Sequence, residues 1–69
     1  MEIIKLREDY IKLGQALKAA GLVDSGVEAK YAIEEGSVLV NGEVECRRGK
    51  KLHADDVVTF QGKTIKITL

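Results

Sequence analysis

Proline and tryptophan are absent from this chain, cysteine and histidine occur once each, and eleven basic residues are cancelled by eleven acidic ones. Each shortage removes a class of function. With Cys46 alone, no disulfide forms within the chain, which argues against a secreted, cross-linked scaffold and suits a reducing cytoplasm. One cysteine and one histidine do not complete a structural zinc site, which takes four protein ligands. Three aromatics (Tyr10, Tyr31, Phe60) supply a base-stacking platform poorly. The charge balance excludes a generally basic, histone-like coat but not a local patch, because binding depends on where charge sits. No stretch approaches the roughly 20 apolar residues of a membrane span. "MEIIKLREDY" is charged every second or third residue, so no signal peptide is expected. The absence of proline and of biased tracts predicts a compact fold without a disordered tail. We read residues 1–69 as one cytoplasmic domain, of a size that buries only about 60% of its unfolded surface.

What is present is concentrated. "EVECRRGKKLHADD", residues 43–56, places Arg47, Arg48, Lys50 and Lys51 around Gly49, with carboxylates on both sides. Around that run the pattern is α+β. Residues 2–6 read as a short strand. Leu13, Ala16, Leu17 and Ala20 recur at helical spacing, and Gly21 ends that helix. Gly14 is costly there by about 1 kcal/mol against alanine, which close packing or a late helix start would explain. A second helix follows a loop of four or five residues, capped by Asp24 or Ser25 with Glu28 in capping-box position, and ends at Gly36. "SVLVNGEVEC" carries the Asn41-Gly42 hairpin signal. A two-residue turn sets Leu39 opposite Val44 and Val40 opposite Glu43; a longer turn favours Val38 and Val40 facing inward. Residues 57–60 and 64–69 are two further strands. The prediction is two helices on one face of a small, curled, mostly antiparallel sheet of four to five strands, the first strand closed against one of the last two.

Catalysis finds little support. No Ser/His/Asp set stands in recognisable context, so no catalytic residue, metal or cofactor is assigned and the chain is read as a non-enzyme. His53 reads as a surface loop residue and Cys46 as a small, half-buried side chain at a strand end. Asp55-Asp56 and Glu34-Glu35 are sequence neighbours whose side chains diverge, so neither pair is a ready dyad. No glycine-rich phosphate loop is spelled, and "KITL" lacks the Gly-Gly tail of ubiquitin-like carriers. Electrostatic binding remains. Gly49 lets a ligand approach the backbone, and two of the four cations are arginines, suited to bidentate phosphate contact. Lys12, Lys18 and Lys30 on the paired helices are placed to flank the same face. Contact with about five phosphates would give a log–log salt slope of roughly −3.5 to −4.5.

Residues 12–60 also resemble the S-four (S4) RNA-binding domain, a module named after a small-subunit ribosomal protein. The resemblance rests on Lys12-Leu13-Gly14 with Leu17, then Gly21, Ser25, Ala29-Lys30, Ile33, Gly36, the run Val38-Leu39-Val40-Asn41-Gly42, and Asp56 to Phe60. It is closest to small stand-alone bacterial members. The resemblance implies a basic face for structured RNA, ribosomal or transfer, with Lys12, Lys30, Arg47, Arg48, Lys50 and Lys51 as phosphate contacts and Asn41 and Gly42 shaping the adjacent turn; Lys18 is added from the charge reading alone. The chain departs from the family pattern at Lys12, Lys30, Gly14, Gly26 and Asp55, where arginine, arginine, aspartate, arginine and glycine are usual. The departures at 12, 14, 26 and 30 shift the expected weight of RNA contact toward 47–51. The leading expectation is a monomeric, non-catalytic protein binding structured RNA or ribosomal particles. A protein-interaction module using a sheet edge and a separate RNA-targeting subunit of a modifying enzyme are the alternatives.

Overall fold

A computed structural model describes residues 2–69. The chain runs β1 (Glu2–Lys5), β2 (Ile11–Lys12), α1 (Leu13–Ala19), α2 (Gly26–Glu34), β3 (Val38–Val40), β4 (Glu43–Val44), β5 (Lys51–Leu52), β6 (Val57–Phe60) and β7 (Lys63–Thr68). Five strands form one sheet in the order β1-β7-β6-β3-β4, and β2 pairs with β5 in a separate two-stranded ribbon. All pairs are antiparallel except β1 with β7, so the first strand does close against one of the last two, in parallel.

Alternation along the strands explains the single core. Val38, Val40, Val58, Phe60, Ile65 and Ile67 point to the helix side and are buried, as a period of two requires. The helices answer with Leu13, Ala16 and Leu17 from α1 and Ala29, Ala32 and Ile33 from α2. Leu52, fully buried, carries the ribbon into the same cluster. Ser25 caps α2 by accepting the Glu28 N–H at 3.2 Å, while the Glu28 carboxylate takes the Asp24 N–H at 3.1 Å instead of closing the box on Ser25. Of the two expected candidates, Ser25 is the N-cap, and Asp24 contributes only its backbone N–H.

The Asn41-Gly42 turn has φ of 52° and 84°, the type I′ geometry that matches strand twist. It sets Leu39 opposite Val44 and Val40 opposite Glu43. Val38 and Val40 face inward in that register too, so the two sequence-based outcomes are compatible and no longer turn is needed. The ribbon is a departure from expectation. Lys51 and Leu52, at the end of the basic run, are strand and pair with Lys12 and Ile11, directly before α1 opens at Leu13. Two-residue strands carry no period to detect. The inter-helix connection spans residues 20–25, slightly longer than expected.

Burial is shared among few side chains, so each matters. Ile33→Ala should cost about 2–5 kcal/mol, against a total of roughly 3–10 kcal/mol for a chain of this length. Urea unfolding followed by circular dichroism will show the variant largely unfolded or with its midpoint sharply lowered.

Candidate nucleic-acid interface

The basic run is fixed to the start of α1 by backbone hydrogen bonds. The first N–H groups of a helix lack partners within it, and no side chain accepts from them here. Instead the Leu13 N–H donates to the Lys50 carbonyl at 2.8 Å and the Gly14 N–H to the Arg48 carbonyl at 3.1 Å. Gln15 accepts the Lys12 N–H at 3.4 Å. Arg48 then lies across Gly14: a Cβ there would stand 2.8 Å from the Arg48 Cγ. Gly14 is thus needed for close approach, and the aspartate that would otherwise order this helix start is replaced by carbonyls of residues 48 and 50.

This docking determines which cations meet. Lys12, Lys18 and Arg48 surround a shallow depression whose floor includes Gly14, Gly26, Ala29 and Gly49. Three segments distant in sequence converge there, with little side-chain bulk between them. Arg47, Lys50 and Lys51 line the adjoining surface beyond Gly49, together with His53. Lys51 Nζ sits 4.8 Å from the centre of the Tyr10 ring, a cation–π contact, and Tyr10 also leans on His53 at 6.3 Å between ring centres. Lys30 is exposed on α2, one turn past Gly26, and is not part of the depression.

Asn41 does not offer its side chain outward. Its Oδ1 accepts the Val57 N–H at 2.9 Å, and its Nδ2 donates to Asp56 Oδ1 at 3.0 Å. Asp56 Oδ2 accepts the His53 N–H at 2.7 Å. The hairpin turn is thereby tied to the β5–β6 loop, where Asp55 holds a φ of 75°. Asn41 and Gly42 shape the turn, and the Asn41 side chain is engaged within it. Burial works against ionisation of Asp56, yet the hydrogen bonds from His53 and Asn41 and the nearby cations hold its carboxyl below the usual range.

Sequence reasoning overlooked Glu45. Arg47 Nε donates to Glu45 Oε2 at 2.9 Å and Nη2 to Oε1 at 3.0 Å, and the Arg47 backbone N–H reaches the same carboxylate at 3.1 Å. Among the described residues this is the one ion pair. The Arg47 side-chain hydrogen bond, against the cost of burial and with help from its backbone N–H and the charges of Arg47 and Lys50, lowers the Glu45 pKa to about 2. The available signal was spacing: residues two apart on extended backbone share a side. Cys46 is exposed where a half-buried position at a strand end was expected; β4 stops at Val44, two residues before it. Among the described residues, no group of three or more His, Cys, Asp or Glu is placed to hold a metal ion, and no helix is long and apolar enough to cross a membrane.

With this geometry in hand, comparison with known proteins is informative. Residues 4–68 match the profile of the S4 domain. The chain is 46% identical over 59 residues to a probable ribosome maturation protein, RlbA, of Bacillus subtilis, covering 86% of this chain and 83% of the relative. It is 38% identical over 61 residues to the putative RNA-binding protein YbcJ of Escherichia coli, covering 88% and 87%. The solution structure of YbcJ, described as revealing an ALFAL motif involved in RNA-binding, superposes with a TM-score of 0.77 at 36% identity, over 100% of this chain and 89% of that one.

The Glu45 carboxyl has its folded-state pKa depressed, from 4.5 to about 2. Its stabilising contribution is therefore complete above about pH 4.5 and lost as pH falls through about 2. Glu45→Gln should flatten the dependence of unfolding midpoint on pH across that window and leave the neutral-pH slope unchanged, measured by urea titrations at stepped pH.

Proposed function

Given that the chain belongs to the S4 domain family, we propose that it binds structured RNA, ribosomal RNA foremost, through the depression bounded by Lys12, Lys18 and Arg48, as a non-catalytic cytoplasmic protein of ribosome maturation. The observation that carries this reading is the convergence of three cations from β2, α1 and the 45–50 segment over a floor of glycine and alanine. Small residues there let a sugar–phosphate backbone approach, and the cations stand where its phosphates would pass. Lys50 and Lys51 extend the positive surface past Gly49, and Lys30 adds to its outer margin along α2. A surface of this kind suits A-form RNA, whose shape and phosphates are accessible when its base edges are not. The relatives named for RNA binding and ribosome maturation support the same conclusion.

Phosphate contacts position the protein, and each one leaves a mark on salt dependence. Replacing Lys12, Lys18 and Arg48 singly by alanine should weaken binding to purified bacterial ribosomal RNA. Each should reduce the magnitude of the log–log salt slope by about 0.7–0.9. Three variants with unchanged affinity and slope would refute the placement of the site.

Gly14→Ala tests the same surface without removing a charge. The added methyl displaces Arg48 from its seat, so RNA affinity should fall toward that of Arg48→Ala. The melting temperature should change little, because alanine favours the helix by about 1 kcal/mol and offsets the local strain.

A further inference from the structure

Arg47 differs from the other cations of the run in that its charge is already answered. Its Nε and Nη2 occupy both oxygens of Glu45, and its own backbone N–H shares that carboxylate. The acid is the anchored member, its side chain 14% exposed against 73% for the arginine. A guanidinium has five N–H donors in one plane. Two are taken along one edge, which leaves the two Nη1 donors and one on Nη2. The outermost donor of each nitrogen projects away from Glu45, side by side, as a fork for two adjacent acceptors.

The nature of those acceptors follows from charge. A phosphate at this fork would face a pair with no net charge and a carboxylate close behind it. A neutral pair of acceptors would meet no such repulsion. Two bases offer two adjacent acceptors on one edge, guanine at O6 and N7 and unpaired cytosine at O2 and N3; the guanine pair is the commonest target of an arginine fork, and adenine sets an N–H donor beside its N7. Arg47 lines the surface that adjoins the cationic depression across Gly49, so RNA held there passes within its reach. The A-form major groove hides the O6/N7 edge, which limits the target to a loop, bulge or end.

From this geometry, and resting on the RNA-binding reading above, we propose that Arg47 is a base reader for an unpaired guanine and that Glu45 is its positioning residue. Arg47 then contributes sequence preference, whereas Lys12, Lys18 and Arg48 contribute phosphate affinity. A lysine at position 47 keeps the charge and loses the fork; a glutamine at 45 keeps the shape and loses the charge that orients the fork.

The test is capture of RNA hairpins with a randomised ten-nucleotide loop by the full chain, sequenced before and after selection. The wild-type protein is expected to enrich guanine at one loop position by about tenfold to a hundredfold over the other bases. Arg47→Lys and Glu45→Gln are each expected to bring that preference toward parity while the salt slope of total binding stays unchanged. In a selected hairpin, 7-deazaguanine at that position should bind as weakly as adenine, because the N7 acceptor is gone. Circular dichroism confirms that both variants are folded. The proposal is overturned if no position favours guanine, if Arg47→Lys keeps the preference, or if Glu45→Gln tightens binding and steepens the slope by about 0.7–0.9, the behaviour of a released phosphate contact. Failure of the RNA-binding reading itself looks different: the wild-type protein captures no hairpin even at low salt, and both conclusions fall together.

Discussion

The unpaired N–H groups at the start of α1 organise this molecule. Leu13 and Gly14 cannot find acceptors within their own helix, and the chain satisfies them with carbonyls of Lys50 and Arg48. Two hydrogen bonds of this kind, each worth about 0.5–1.5 kcal/mol net, tie a charged segment from the second half of the sequence to a helix from the first. Pairing of β2 with β5 continues the same seam, and Leu52 buries its side chain just beyond it. The absence of a side chain at Gly14 makes room for Arg48. Move any of these and Lys12, Lys18 and Arg48 no longer border one depression.

Much of the fold was legible because its determinants are local. Helical spacing at Leu13, Ala16 and Leu17, the Ser25 cap and the Asn41-Gly42 turn each act within a few residues, and each is found where the pattern put it. The alternation over 64–69 set Ile65, Ile67 and Leu69 on one side; the first two are in the core, whereas Leu69, beyond the end of β7, is 82% exposed. What escaped notice depends on partners distant in sequence or on exact backbone course. The ribbon consists of two residues on each side, too few to show a period. Grouping Lys30 with the other cations requires knowing how α2 is rotated against α1, and charge content alone does not state it. Glu45 was visible as one of the acids flanking the run, but its pairing with Arg47 depends on the backbone course of residues 45–47 just past β4.

The four cations in five positions turn out not to be four equal charges. Arg48 is free beside the depression, Lys51 rests on the Tyr10 ring, Lys50 lies in reach of the fields of Glu45 and Asp56, and Arg47 is bound to Glu45. A neutral protein can therefore gather three cations around one depression: the acids near the run restrain some of its other cations, while Glu34 and Glu35 lie at the far end of α2. Long-range attraction to nucleic acid is modest in such a molecule, and recognition falls to the shape of the surface and to the few charges left unanswered.

The side-by-side alignment of β1 and β7 has a bearing on how the chain folds. Ile3 lies against Lys66, so β1 finds its neighbour only among residues about sixty positions later in the chain. Until the two meet, its edge of the sheet has nothing to join, and the helices sit over an incomplete floor. A contact that spans nearly the whole polypeptide is slow to form and late to stabilise. The sheet is thus complete only once β7 is in place beside β1, and cooperativity across the fold waits on that pairing.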